Sequence, residues 1–65
     1  MKDYSRTELT NAIDEWVLNK KHRDIMKSRL IDGMTFDALA ELYVMSPRQI
    51  KRIVYQSEEI LFRHI

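Results

Sequence analysis

The chain has 65 residues, a net charge of +1 at pH 7 and no cysteine. At this length it is one small domain, residues 1–65, able to bury only about 60% of the surface that its unfolded form exposes, and disulfides or thiolate metal sites cannot stabilise it. No apolar run approaches the roughly 18 residues of a membrane span, and the N-terminus lacks the apolar segment of a secretory signal. We therefore expect a cytoplasmic protein without a membrane partner.

Helix signals begin at Ser5 and Glu8, which fit a capping box whose two side chains bond each other's backbone amides. Apolar residues follow at helical spacing as far as Val17, which predicts a first helix. Asn19 is a break and the cap of a second helix, predicted from about Lys20 to Asp32. Gly33 ends that helix because glycine accepts left-handed geometry.

Two further helices are predicted in the second half of the chain. Thr35 caps a short one, residues 36 to about 43. Ser46 caps the last one, with Pro47 at the favoured first position and Gln49 completing a second capping box, and nothing breaks it before about residue 64. The residues expected to face inward are Ile50, Ile53, Val54, Ser57 and Leu61. With no strand pattern anywhere, the sequence predicts a small all-α domain of four helices.

Basic charge is concentrated in two segments. Residues 20–34 hold five cations against two acids, and residues 46–65 hold four against two, whereas residues 1–19 and 35–45 are each net −2. A charged partner meets such local patches rather than the small net charge. The fourth helix carries three of its cations in its first turns, at Arg48, Lys51 and Arg52.

The third and fourth helices are joined by three residues, and the second of them is basic, which predicts a helix-turn-helix at about residues 35–55 with a recognition helix starting at residue 47. Ala40 supplies the small residue needed where the two helices cross closely. Ile50 and Ile53 are expected to be the buried positions of the recognition helix.

The stretch IMKSRLIDGMTFDALAE, residues 25–41, followed by Met45 and Ser46, resembles region 4 of sigma-70-type sigma factors. In that family an apolar helix ends in an acidic residue and glycine, and a capped short helix and a Ser-capped recognition helix follow. The resemblance covers about residues 23–61, and small phage and mobile-element proteins carry similar sequences. It implies binding to promoter DNA and to RNA polymerase. The other sigma regions do not fit in 65 residues, so we expect a free-standing region 4 module.

One departure from that family lies in the turn. The position usually held by glycine is Val44, and a β-branched residue disfavours positive φ. Either the turn takes another geometry or it accepts some strain.

On DNA, the first turns of the recognition helix would enter the major groove. Arg48 is expected to bond guanine and Gln49 adenine, whereas Lys51 and Arg52 are expected to hold phosphates. The full set of expected DNA contacts is Thr35, Ser46, Pro47, Arg48, Gln49, Lys51, Arg52 and Tyr55. Candidate additional phosphate contacts are Lys20, Lys21, Arg23 and Lys27.

Several of these residues have a second interpretation. The cations of the fourth helix are also consistent with an ordinary solvated face, and the Lys20–Lys21 pair with plain surface. Tyr55 fits a DNA contact or packing in a dimer equally well. A homodimer is plausible, with a candidate interface of Trp16, Ile60, Phe62 and Ile65. Arg29 points toward the apolar stripe and is predicted to pair with an acid such as Asp32 or Glu41.

The sequence thus predicts a sequence-specific regulator of transcription that binds double-stranded DNA. The alternative is a protein-binding adaptor of the same fold that acts on RNA polymerase or another regulator. An enzyme is not expected, because there is one glycine in the chain, no phosphate loop and no converging catalytic set. We expect no cofactor, no metal and no small-molecule substrate.

Overall fold

The computed structural model describes residues 4–64, and within that range it contains four helices and no strand. They are α1 (Arg6–Trp16), α2 (Lys20–Leu30), α3 (Phe36–Tyr43) and α4 (Pro47–His64). The predicted all-α fold is confirmed. None of these helices is long and apolar enough to cross a bilayer.

The helix boundaries follow the caps that the sequence contains. The side chains of Ser5, Asn19, Thr35 and Ser46 each accept a hydrogen bond of 3.1–3.2 Å from the backbone amide three residues later. At α4 the capping box is reciprocal, because the Ser46 amide donates to Gln49 Oε1 at 3.3 Å. At α1 the predicted return bond is replaced: the Glu8 carboxylate accepts from the Ser5 hydroxyl at 3.3 Å instead of from its amide.

The end of α2 comes two residues earlier than predicted. Ile31 is its C-cap, and the amide of Asp32 bonds back five residues to the Lys27 carbonyl at 3.3 Å, which widens the final turn and ends the regular helix. Gly33 has the expected left-handed geometry, with φ of 70°.

The longest helix, α4, is the centre of the fold. Its 18 residues extend for about 27 Å, close to the 29 Å of the longest dimension of the molecule. It contacts the other three helices, and α1 and α3 each also contact α2. The predicted inward face of α4 is confirmed in full, since all five of its residues are buried. The remaining buried residues of the core are Ala12, Ile13, Val17, Ile25, Met26, Leu39 and Ala40.

Polar contacts attach α3 to α2 near both ends of α3. The hydroxyls of Ser28 and Tyr43 lie 3.1 Å apart within hydrogen-bond reach. Arg29 Nη1 donates to the Met34 carbonyl, just before α3, at 2.7 Å. The prediction that Arg29 pairs with Asp32 or Glu41 is therefore wrong: the chain reversal after α2 brings a backbone carbonyl to the guanidinium, and both acids are exposed.

Residues 44–46 join α3 to α4 in a helix-turn-helix arrangement. Val44 takes left-handed geometry, φ 53° and ψ 54°, and its amide bonds to the carbonyls of Ala40 and Glu41. Its side chain is 90% exposed. The turn thus has the left-handed geometry that suits glycine. The backbone strain at Val44 is not offset by burial of its side chain.

Val44→Gly is expected to stabilise the domain by about 1 kcal/mol, because a left-handed residue with a Cβ costs roughly 1–2 kcal/mol and glycine offsets part of that gain through its greater freedom when unfolded. In a domain of this size the midpoint of thermal unfolding, followed by circular dichroism, should rise by about 4–8 °C.

Gly33→Ala is the matched control, since it introduces a Cβ at φ 70° where no other atom lies within 4 Å. No new contact forms there, and the backbone strain outweighs the reduced freedom of the unfolded chain, so the midpoint should fall. A lower midpoint for Val44→Gly would contradict the assignment of strain to the turn.

Candidate nucleic-acid interface

The first turns of α4 present a basic face. Because Ile50, Ile53 and Val54 are buried in the core, the helical period turns the side chains of Arg48, Lys51 and Arg52 outward, and all three are exposed. No acidic residue occurs in α4 before Glu58. This face, Arg48, Lys51 and Arg52, is called the basic face below.

The cations of the basic face are not neutralised by the fold. Across residues 4–64 the ion pairs are Lys27 with Asp14 at 2.7 Å and Arg63 with Glu59 at 3.3 Å. Arg48 and Arg52 instead line a surface groove together with Gln49. An arrangement of cations without carboxylate partners is suited to an anionic ligand.

The capping residues of the predicted site already form hydrogen bonds within the fold. Gln49 Oε1 accepts from the Ser46 amide, so a two-bond contact to adenine, which uses both the oxygen and the nitrogen of the amide, would have to share this oxygen with the return bond of the cap. Ser46 and Thr35 use their hydroxyl oxygens as acceptors for helix amides, and each keeps its hydroxyl hydrogen for donation. Pro47 is exposed beside them.

Two more predicted contacts meet on the ring of Phe36. Lys51 Nζ lies 5.7 Å from the centre of that ring, and the Tyr55 ring meets its edge with centres 5.9 Å apart. The guanidinium carbon of Arg29 lies 4.2 Å from the same centre. These four residues, Arg29, Phe36, Lys51 and Tyr55, are called the Phe36 cluster.

Sequence reasoning missed the Phe36 cluster. The sequence predicts an ion pair for Arg29 and assigns only Lys51 and Tyr55 of these four residues to the site. The four residues come from three helices, so no spacing along the chain could indicate that they meet. The nearest available signal was the position of Phe36 directly after the Thr35 cap.

The candidate phosphate contacts of α2 divide into two groups. Lys20 and Lys21 are exposed. Arg23 Nη1 donates to the carbonyls of Val17 and Leu18 at 3.1 and 2.8 Å, which joins α2 to the end of α1, and Lys27 pairs with Asp14. A phosphate contact by Lys27 would have to replace its ion pair. Arg23 keeps its Nη2 and Nε donors, but it is fixed against the end of α1, so the two exposed lysines are the stronger candidates.

The candidate dimer residues are partly covered by the chain itself. The Trp16 ring is partly buried and stacks on His64, with ring centres 3.7 Å apart and planes within 6°. Phe62 stacks on Tyr4 at 6.3 Å but remains 49% exposed, and Ile60 is 41% exposed. Ile65 lies outside the described residues. An interface between two copies through this end of the molecule stays a prediction.

No family model matches the chain, and no curated protein or solved structure shows significant similarity to it. The likeness to sigma region 4 therefore stays a prediction, and the candidate site depends on its own geometry and charge.

Proposed function

We propose that this chain is a regulator of transcription that binds double-stranded DNA with the first turns of α4 in the major groove. The observation that carries the proposal is the basic face: three exposed cations without carboxylate partners, at the start of the second helix of a helix-turn-helix. The major groove of B-DNA admits one α-helix, and helices of this arrangement read bases with their N-terminal residues.

The residues of the basic face have different roles in this proposal. Arg48, in the first turn, is the base reader, because a guanidinium bonds O6 and N7 of guanine together. Lys51 and Arg52 hold phosphates, which fixes the register of the protein but reads no sequence. Gln49 contributes its amide nitrogen while its oxygen remains in the cap.

The charges further along α4 are consistent with this orientation. Glu58 and Glu59 follow Arg48 by ten and eleven residues, or about 15 Å along the helix. The major groove is only about 8.5 Å deep, so a helix that enters by its N-terminal end carries these acids away from the phosphates.

The likeness to sigma region 4 supports the same proposal and adds RNA polymerase as a second partner. In that proposal the chain is a region 4-like module of the phage or mobile-element type.

The affinity for duplex DNA, measured at increasing salt concentration, tests the proposal. Fluorescence anisotropy with a mixed-sequence duplex should show micromolar binding, with log K falling against log salt at a slope of about −2 or steeper, since each neutralised phosphate contributes about −0.9. The two cations assigned to phosphates, Lys51 and Arg52, should then by themselves weaken binding about 12-fold between roughly 50 and 200 mM salt. Absence of binding at the lowest salt would contradict the proposal.

The adaptor remains a second candidate because of two exposed aromatic residues. Tyr55 is 56% and Phe62 49% exposed, and they lie seven residues apart on one side of α4, as a protein-binding surface would require. Capture of RNA polymerase by the wild-type protein, lost on Tyr55→Ser and Phe62→Ser and unaffected by changes to the basic face, would favour the adaptor.

A further inference from the structure

The ring of Phe36 gathers two cations from different helices. Arg29 comes from α2 and lies 4.2 Å from the ring centre, and Lys51 comes from α4 and lies 5.7 Å from it. The two cationic groups are therefore no more than about 10 Å apart. Each gains a cation–π attraction to the ring, while their own repulsion opposes the arrangement.

No carboxylate within residues 4–64 lies within 4 Å of either cation. The acids nearest to them in the sequence are Asp24 and Asp32 for Arg29 and Glu58 for Lys51, and none of the three lies within 4 Å of either cation. The fold thus brings two positive charges together at the junction of α2, α3 and α4, and no carboxylate of the described residues neutralises them.

Both cations keep donors for an external acceptor. Arg29 uses Nη1 for the Met34 carbonyl, and four of the five N–H donors of a guanidinium are then left. Lys51 has no hydrogen bond or ion pair among the described residues and keeps its three donors. Tyr55, which is exposed and whose ring packs edge-on with that of Phe36, adds a phenol hydroxyl as a further donor.

We infer that Arg29 and Lys51, held by the Phe36 ring, form a phosphate-binding point for the DNA backbone, and that Arg29 is a DNA contact. This inference rests on the proposed function and extends it. Lys51 is itself part of α4, so a phosphate held here lies at the edge of the groove that α4 enters, and it fixes the helix in register. With the two cations no more than about 10 Å apart, the point takes one shared phosphate or two successive phosphates of one strand.

Arg29→Met tests the inference through the salt slope rather than through affinity alone. Loss of one phosphate contact should make the slope shallower by about 1. Affinity should fall by about the same factor for every duplex sequence, because a phosphate contact reads no bases. Arg63→Met is the matched control: it removes the same charge from a cation paired with Glu59 at the far end of α4, and the slope should not change.

A second pair of variants separates charge from structure. Arg29→Lys and Arg29→Gln both lose the planar guanidinium on the ring, so both should lower the melting temperature, yet only Arg29→Lys keeps the charge. The inference requires Arg29→Lys to keep the wild-type slope and Arg29→Gln to lose about one unit of it. This pair of variants also tests whether Arg29 contacts a phosphate if Arg29→Met does not fold.

Unchanged slopes in both neutral variants, with lower melting temperatures, would show that Arg29 only supports the fold, and would overturn this inference while leaving the proposed function in place. Failure of the proposed function looks different, because the wild-type protein would then not bind the duplex at all, and the inference would fail with it.

Discussion

Reversal of two charges, Arg48→Glu together with Arg52→Glu, is expected to weaken binding to any duplex by at least about 100-fold. Each lost contact to a base or phosphate accounts for roughly 1–3 kcal/mol, and tenfold in affinity corresponds to about 1.4 kcal/mol. Two glutamates facing the phosphates add repulsion to that loss. The salt slope should become shallower by about 1, because Arg52 no longer neutralises a phosphate. Anisotropy with the same duplex measures both quantities.

The same double variant should remain folded. Both side chains are exposed and form no ion pair in the described part of the chain. A glutamate at position 48 lies in the first turn of α4, where a negative charge interacts favourably with the helix dipole. The like-charge pair at positions 48 and 52 costs only about 0.2–0.5 kcal/mol. Circular dichroism should therefore show wild-type helicity and a melting temperature close to that of the wild type.

Arg6→Glu together with Arg63→Glu is the control with the same change in net charge. Both residues are exposed, and Arg63 is about 22 Å along α4 from Arg48. If binding depends on the basic face, this control should bind nearly as well as the wild type at moderate salt. Equal losses in the two double variants would show that net charge alone drives association and would count against a groove-binding α4.

Leu39→Ala is expected to unfold most of the protein at physiological temperature. Leu39 is fully buried in the core, on the side of α3 that faces the rest of the bundle. Truncation of a buried leucine costs about 2–5 kcal/mol, through lost burial and the cavity that remains. A core in a domain of this size rarely supplies more than about 3–5 kcal/mol of net stability. The cost of one such cavity is therefore close to the whole free energy of unfolding. Urea and thermal unfolding followed by circular dichroism measure the loss.

Leu42→Ala provides the matched control on the same helix. Leu42 is 58% exposed, and the substitution is chemically identical, so a change within about 0.5 kcal/mol is expected. Similar losses for the two variants would mean that α3 does not bury the face assigned to it, and the orientation of the helix-turn-helix would then be wrong.

The local features of this protein are determined by the sequence itself. Ser5, Asn19, Thr35 and Ser46 begin the helices at the predicted positions because an N-cap needs only its own side chain and the amide three residues later. The inward face of α4 was predictable for a similar reason: apolar residues at helical spacing can be buried together only on one side. That same spacing placed Arg48, Lys51 and Arg52 outside, so most of the candidate site could be read from the order of residues.

The tertiary structure decided which side chains are still available to a ligand. Arg23 bonds two carbonyls at the end of α1, Lys27 pairs with Asp14, and Arg29 joins Lys51 on the ring of Phe36. These partners are separated by 5 to 22 positions along the chain and meet because the helices pack around one core. The left-handed Val44 belongs here too, since the path from α3 into α4 fixes its geometry against the preference of valine. Local rules locate a cation on a surface, but the partner that it finds depends on how distant helices are arranged in space.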